Sequence, residues 1–184
     1  MSTILVTVGS TLFPTLTDKI LSNEILLLFS EYDIHKVIIQ YGKAEIKTSS
    51  LNSNISLDSE GKGSIVTKEG MIVELIRFTD KFDILVDQSD YVISHAGSGS
   101  ILTTLRRTKP KPLLVVPNET LMDNHQAELA DELSEKNYLM VSKVEDLHQI
   151  LPKFLDSKNQ SMIKPFPKMD PTKFSGILDE LMGF

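Results

Sequence analysis

The segment Ser-His-Ala-Gly-Ser-Gly-Ser at residues 94–100 holds the clearest chemistry in the sequence. Glycines at 97 and 99 let a ligand approach the backbone closely, and the serines at 98 and 100 add hydroxyl donors where a helix is predicted to begin. The free N–H groups and the positive end of such a helix bind phosphate or diphosphate. The alternative is an ordinary strand-to-helix turn with a serine cap, but two glycines and two serines exceed what a cap requires. We therefore interpret Gly97, Ser98, Gly99 and Ser100 as an anion site.

A shorter glycine turn follows the first apolar run, at Gly9, Ser10 and Thr11. The first strand-to-helix turn of an α/β domain is a favoured ligand position, so these residues are also candidates, with an ordinary turn as the alternative. His95 ends an apolar run beside the glycines at 97 and 99. It is either a histidine that packs at the sheet edge, or a phosphate-contacting donor or an acid/base group, and the sequence leaves both open.

The third candidate segment opens another predicted helix and reads Asp123, Asn124, His125, Gln126. Asp123 with Gln126 three residues later matches a capping box, which is the structural alternative. A cap does not require Asn124 or His125. Four polar side chains at a strand-to-helix junction are suited to holding sugar hydroxyls.

Composition excludes several classes of function. The chain has 184 residues, and 25 acidic against 19 basic residues give a net charge of −6, which argues against nucleic-acid binding. There is no cysteine, so disulfides and thiolate chemistry are excluded. The four histidines show no ligand spacing and no Asp-x-Asp motif occurs, so we expect no metal site. No signal peptide and no run of about 20 apolar residues is visible, and we therefore predict a cytoplasmic protein.

Short β-branched runs alternate with helical patterns along most of the chain. This alternation predicts a doubly wound, mostly parallel α/β sheet of about six strands, with helices on both faces. The predicted strands are Ile4–Val8, Val37–Gln40, Ile72–Phe78, Tyr91–Ser94, Leu113–Val116 and Tyr138–Val141. The predicted helices are Pro14–Ser30, Lys81–Gln88, Ser98–Arg107, Asp123–Lys136 and Val144–Leu155.

Two stretches depart from this alternation. Residues 43–70 are rich in Ser, Asn, Lys and Gly with little periodicity, and we predict a flexible insertion there. Beyond residue 156, prolines predict an extended connector over 157–184 that ends in an amphipathic helix. Its apolar stripe consists of Phe174, Ile177, Leu178, Leu181 and Met182.

A dinucleotide-binding enzyme is one alternative. Gly97-x-Gly99 after a strand, with Glu119 about 20 residues later, loosely matches a dinucleotide fingerprint. Leu102 stands where the third glycine is required, and the unit follows the fourth predicted strand rather than the first. These departures argue against a nicotinamide or flavin enzyme. A nucleotide-binding Rossmann-like enzyme or a non-catalytic regulatory subunit stays open as an alternative.

Taken together and in order, these segments resemble a known family. Gly9-Ser-Thr, Gln40-Tyr-Gly, Phe78-Thr-Asp, His95-Ala-Gly-Ser-Gly-Ser and Met122-Asp-Asn-His-Gln are similar to motifs of the catalytic subunit of the dolichol-linked-oligosaccharide N-acetylglucosaminyltransferase. The chain also resembles, more distantly, the C-terminal half of the bacterial lipid II N-acetylglucosaminyltransferase. The resemblance covers residues 3–150 and a Lys-Pro-Phe-Pro stretch at 164–167, but not the insertion.

The resemblance implies the Rossmann-like, donor-binding half of a GT-B glycosyltransferase, with residues 1–156 as that domain. The donor would be UDP-N-acetylglucosamine (UDP-GlcNAc), the acceptor GlcNAc-diphosphodolichol, and the transfer inverting, as the second step of lipid-linked oligosaccharide assembly for N-glycosylation. No cofactor besides the donor substrate is implied. A membrane-anchored, acceptor-binding partner would form a heterodimer with this chain, bring it to the cytosolic face of the endoplasmic reticulum, and contact the stripe at 174–182.

Site roles follow from the same resemblance. The residues at 97–100 would hold the diphosphate, Phe78 and Thr79 would lie beside the uracil, and those at 123–126 would face the sugar, while Gly9, Ser10 and Thr11 would line the cleft. The family's acidic ribose-binding position falls on Thr103, which makes weaker contacts than a carboxylate. No convincing general base is present. His95 is a weak candidate, and we expect the base to come from the partner.

Overall fold

The computed structural model describes residues 1–47, 51, 54–120, 124–160 and 164–167. At residues 124 and 125 it describes the backbone alone. Seven strands lie in this part of the chain: β1 Ser2–Thr7, β2 Ile34–Gln40, β3 Gly63–Val66, β4 Ile72–Ile76, β5 Tyr91–His95, β6 Leu113–Val116 and β7 Met140–Val141. The helices are α1 Pro14–Ile20, α2 Asn23–Glu31, α3 Phe82–Asp87, α4 Ser98–Leu105, α5 Asn124–Glu135, α6 Leu147–Leu155 and α7 Ser157–Gln160.

The strands form one sheet in the order β3-β4-β2-β1-β5-β6-β7, parallel except for β3, which runs antiparallel to β4. The chain winds from β1 outward through β2 to β4, and then returns to β5 on the other side of β1. The point where the winding reverses therefore lies between β1 and β5, where Val6 pairs with Ile93 and Thr7 with Ser94. The predicted doubly wound, mostly parallel sheet is confirmed.

The central strands are apolar throughout because both faces of the sheet are covered. Ile4 and Val6 of β1 pack into one hydrophobic core, together with Leu16 of α1 and Phe29 of α2. Leu5, which points to the opposite face, packs into a second core. Ile101 of α4, Leu129 of α5 and Val86 of α3 belong to that second core. This alternation in β1 fixes the register of the central strand, because a slip of one residue would exchange the two faces.

Two helix predictions need correction. The single helix predicted over 14–30 is two helices, because the Ser22 hydroxyl accepts a hydrogen bond from the N–H of Ile25 and starts α2 anew. A single helix would place Leu27 on one apolar stripe with Leu16 and Ile20, but Leu27 is 51% exposed because the second helix begins anew after the break. The helix predicted from residue 144 begins with a 3-10 turn at Val144–Asp146. Within the described residues, the other predicted helices and strands are present, with ends shifted by a few residues. The stretch from residue 157 that was predicted to be extended begins with the short helix α7, Ser157–Gln160.

The prediction of an insertion without structure is wrong for part of residues 43–70. Gly63–Val66 forms β3, whose residues alternate between half-buried and exposed as an edge strand does. The Tyr41 hydroxyl donates a 2.7 Å hydrogen bond to the Gly61 carbonyl, and Leu51 is buried. The insertion is thus attached to the carboxyl end of β2 rather than free of the domain.

Beyond α6 the chain turns back onto its own domain. The N–H of Lys164 donates to the Asn137 carbonyl at 2.8 Å, and the Phe166 ring meets the Tyr138 ring edge-on, with centroids 5.2 Å apart. The predicted helix with Phe174, Ile177, Leu178, Leu181 and Met182 lies outside the described residues. Among the helices of the described ranges, none is long and apolar enough to cross a membrane.

Candidate functional site at the carboxyl edge of the sheet

The two glycine turns predicted from the sequence lie side by side in the fold. Gly9 follows β1 and Gly97 follows β5, and these strands are hydrogen-bonded neighbours on either side of the winding reversal. Ligands of open α/β sheets bind outside the carboxyl ends of the strands at such a reversal. The sequence expectation that both turns belong to one ligand cleft is therefore compatible with the topology.

His95 separates the two turns. Its ring is 7% exposed and fills the space where a side chain at either glycine would stand. A Cβ atom on Gly9 would lie 2.8 Å from the His95 Nε2 atom, and one on Gly97 would lie 2.7 Å from the same atom. Real Cβ atoms do not approach this closely, so the histidine ring requires glycine at both positions. Gly9 also has a φ of +62°, which glycine adopts without strain.

Burial makes His95 a poor base. Loss of hydration lowers the pKa of its imidazole to about 4, because the charged form is disfavoured away from water. The ring is therefore neutral at pH 7, and its Nε2 atom lies 3.4 Å from the Ser100 hydroxyl. Of the two interpretations left open by the sequence, this geometry favours a packed histidine that orients the serine over an acid/base group.

The start of α4 is open to a ligand. Gly97 is the N-cap residue with no side-chain capping bond, and Ser98 and Gly99 are exposed. The serine cap considered as the alternative is therefore not formed. The first backbone N–H groups of this eight-residue helix face the carboxyl edge of the sheet with the helix dipole behind them. Thr103, predicted near the ribose, is half-buried one turn further along α4.

A cavity of about 450 Å³ joins the end of β5 to the start of α5. Ala96, just before the Gly97 turn, lines it from one side and Gln126 of α5 from the other, whereas residues 97–100 and 9–11 lie outside its lining. Asn118, after β6, also lines it and donates from Nδ2 to the Leu12 carbonyl at 3.1 Å, which ties the β6 end to the segment after β1. Asp123 and the side chains of Asn124 and His125 lie outside what the structure describes.

Phe78 and Thr79 lie elsewhere on the same edge. They line a second, wider cavity of about 740 Å³ at the end of β4, where the Phe78 ring is 50% exposed. Lys62 and Glu60, from the insertion, line its other side. Strands β2 and β1 stand between this cavity and the Gly97 turn, so the structure does not place all predicted donor residues in a single pocket.

The sequence analysis assigned no role to Gln40, whose side chain makes four hydrogen bonds at the carboxyl edge of the sheet. Its buried side chain bonds to Thr7, to both backbone groups of Gly9 and to the Arg77 carbonyl. The sequence feature that could have indicated this role is a polar amide at the end of an apolar strand. Such an amide is buried with the strand and must then be hydrogen-bonded.

Metal ligation has no support within the described ranges, where no group of three His, Asp or Glu side chains is suitably clustered. Charged side chains line the smaller cavity as well as amides and hydroxyls: Glu119, Asp131, Lys143 and Asp146. At the rim of the smaller cavity, the ammonium of Lys143 lies 3.7 Å from the carboxylate of Glu119.

The sheet order, the helices on both faces and the paired glycine turns define a doubly wound, Rossmann-like domain. Residues 3–180 match the model of the glycosyltransferase family 28 C-terminal domain, and the chain belongs to this family. It is 46% identical to the UDP-N-acetylglucosamine transferase subunit ALG13 of Cryptococcus neoformans, across 99% of this chain and 97% of that one. The family resemblance expected from the sequence is confirmed.

Solved structures agree with this assignment. A solution NMR structure of ALG13 superimposes with a TM-score of 0.68 at 31% identity, covering 96% of this chain and 94% of that one. The crystal structure of Acinetobacter baumannii MurG superimposes with a TM-score of 0.63 at 14% identity, covering all of this chain and 52% of MurG. The second likeness concerns the fold alone.

Proposed function

We propose that this chain is the donor-binding subunit of an inverting glycosyltransferase that moves N-acetylglucosamine from UDP-GlcNAc to GlcNAc-diphosphodolichol, the second step of lipid-linked oligosaccharide assembly. The observation that carries the proposal is the pair of glycine turns packed on His95 at the winding reversal of a family 28 fold. The full-length similarity to a chain named as a UDP-N-acetylglucosamine transferase subunit supports the choice of donor.

In this proposal the chain positions the donor and stabilises its leaving group. The acceptor hydroxyl attacks the anomeric carbon, the bond from that carbon to the diphosphate breaks, and UDP departs with the bonding electrons. The exposed N–H groups at the start of α4 and the hydroxyls of Ser98 and Ser100 would meet the charge that develops on the diphosphate. Gln126, which lines the cavity beside Ala96, is placed to contact the sugar.

The general base belongs to a second protein in this proposal. With a pKa lowered to about 4 and a nearly buried ring, His95 is a weak proton acceptor at neutral pH. The acceptor site would be supplied by a membrane-anchored partner that holds the lipid, forms a heterodimer with this chain and recruits it to the cytosolic face of the endoplasmic reticulum. The chain alone would then bind the donor but transfer nothing.

The test is a transfer assay with radiolabelled UDP-GlcNAc and a lipid-diphosphate acceptor, run on the purified chain and on the complex co-purified from membranes. We expect transfer by the complex only. Transfer by the purified chain would contradict the division of labour. A complex that keeps full activity after Gly97→Ala would contradict a direct role of this chain in donor binding and favour a regulatory subunit.

A further inference from the structure

We propose that Gln40 is a positioning residue, which holds the Gly9 turn in the shape that lines the donor cleft without touching the donor. This inference rests on the proposed function and adds a residue to it. Gln40 is the last residue of β2 and is 3% exposed, so its amide is shielded from water and from ligands by the strands around it.

All four hydrogen-bonding positions of the Gln40 amide are used. Its Nε2 atom donates to the carbonyls of Gly9 and Arg77, both at 2.7 Å. Its Oε1 atom accepts from the N–H of Gly9 at 2.9 Å and from the Thr7 hydroxyl at 2.5 Å. A buried amide with two donors and two acceptor bonds satisfied has one stable orientation, which makes it a rigid brace.

The Gly9 turn has hydrogen bonds of its own, from the N–H and the hydroxyl of Thr11 to the Val8 carbonyl, at 3.2 and 2.7 Å. Gln40 differs from these contacts because it bonds to the Gly9 peptide groups themselves. Gly9 lies in the left-handed region, with no side chain to pack, and Ser10 is exposed. Gln40 binds both the N–H and the carbonyl of Gly9, as a neighbouring strand would, although β1 has already ended at Thr7. The sheet's hydrogen-bonding pattern is thereby extended by a side chain into the loop.

The same amide joins the ends of three strands. The Arg77 carbonyl, just beyond β4, accepts from Gln40 Nε2 and also from the N–H of Gly42 at 3.0 Å. Gly42 lies so close to the first turn that a Cβ atom on it would be 2.8 Å from the Gly9 carbonyl oxygen. Displacing the amide would therefore move Gly9 relative to His95, and with it the Gly97 turn on the other side of that ring.

A substitution that keeps the shape of Gln40 but changes its hydrogen bonds distinguishes a positioning role from a packing role. In the wild-type chain, Gln40 Nε2 donates to the carbonyls of Gly9 and Arg77. Gln40→Glu keeps the size of the side chain but places an oxygen in the position of Nε2, against these two carbonyls. Thr7→Val removes a hydroxyl that donates to Gln40 Oε1 and also accepts from the Gly9 N–H at 3.3 Å, so it tests these two contacts together. Ser89→Ala is the matched control, because the Ser89 hydroxyl is also buried and donates to a carbonyl (Leu85, 2.7 Å) but lies before β5, at the opposite edge of the sheet.

The first measurement is steady-state kinetics of the assembled, full-length enzyme. We expect Gln40→Glu to raise the KM for UDP-GlcNAc at least fivefold while the KM for the lipid acceptor stays unchanged, and Ser89→Ala to change neither KM. A merely structural role would lower kcat through a smaller folded fraction and leave both KM values alone. That pattern would overturn the proposal.

The second measurement needs no activity. We expect the amide hydrogen of Gly9 to exchange at least tenfold faster in Gln40→Glu than in Ser89→Ala, measured by NMR on the full chain. Unchanged exchange would overturn the proposal even if the kinetics changed. If Gln40→Glu does not fold, Gln40→Met, which is uncharged and of similar length but makes none of the four hydrogen bonds, carries both measurements. A wild-type complex that transfers no sugar would refute the proposed function, whereas Gly9 exchange would still report whether Gln40 holds the turn.

Discussion

The imidazole of His95 occupies the space beside Gly9 that a side chain at residue 9 would need, with Nε2 2.8 Å from the position of the missing Cβ. The two residues belong to adjacent turns, after β5 and after β1, so the ring sets the distance between them. A substitution that moves the His95 ring, or that adds a side chain at Gly9, should therefore displace both loops of the candidate site.

We expect Gly9→Ala to destabilise the chain more than Gly70→Ala. Both glycines have positive φ, of +62° and +84°, so both substitutions cost about 1–2 kcal/mol of backbone strain. Only the methyl group at residue 9 meets His95, since nothing lies within 4 Å of a Cβ at Gly70. Overpacking should add at least about 1 kcal/mol to the loss in the free energy of unfolding, measured in urea. Equal losses for the two variants would contradict the contact.

Gly99→Ala should separate donor binding from stability. Gly99 lies in the first turn of α4, exposed, with open space around its Cβ position. Alanine is the better helix former by up to about 1 kcal/mol, so the free energy of unfolding should not fall. If the diphosphate rests on this turn, the added methyl group should weaken UDP binding several-fold in calorimetry. Gly97→Ala, by comparison, should lose stability because its methyl group meets the His95 ring. An unchanged affinity of Gly99→Ala for UDP would argue against the anion site.

Stability should fall in acid because of His95. Its pKa in the folded chain, lowered to about 4 by burial, is below the ordinary value of 6.5, so the unfolded chain binds more protons between these two pH values. The contribution of the neutral ring is complete above pH 6.5 and is lost as the pH falls through 4. The difference between the two pKa values corresponds to about 3 kcal/mol in the free energy of unfolding.

The measurement is urea unfolding at pH 7.5 and pH 4.5. His95→Gln, which does not titrate, should lose less stability between these values than the wild type. Gly70→Ala serves as the control, because it changes no titrating group and has open space around its Cβ, so its loss of stability should be the same at both pH values. A variant at 95 with the wild-type pH dependence would show that another group is responsible.

Thr103→Glu should strengthen donor binding under the proposed function. A carboxylate accepts two hydroxyl hydrogen bonds, as ribose recognition requires, whereas threonine offers one oxygen. We expect the KM for UDP-GlcNAc to fall several-fold in the complex. Thr108→Glu adds the same charge at an exposed residue beyond α4 and should leave the KM unchanged. An unchanged or higher KM in Thr103→Glu would mean that the ribose is not bound at this turn of the helix.

The sequence predicted the parallel strands well because β-branched runs buried on both faces leave little ambiguity. It failed at the end of α1, where an apolar stripe continues through the Ser22 cap and only packing shows that Leu27 turns outward. It also missed β3, since a short edge strand with alternate half-buried residues in a polar segment carries almost no apolar signal.

The candidate site was predicted unevenly for a similar reason. The glycines at 9 and 97 stand out in the sequence, but the reason for them, the His95 ring, becomes visible only when β1 and β5 are paired. Gln40 gives only a weak local signal, a polar amide at the end of an apolar strand, because the groups that it bonds lie in two other segments of the chain, at residues 7–9 and at Arg77.

The antiparallel strand β3 matters for the behaviour of the molecule in concentrated solution. It hydrogen-bonds along Ile72–Ile76 and is itself only four residues long, with Ser64 and Val66 facing water. Short edge strands are poor templates for further strand addition. Deleting residues 54–66 would uncover a parallel strand five residues long, and the shortened chain should aggregate through its sheet. A segment remote from the Gly97 turn thus protects this edge of the sheet.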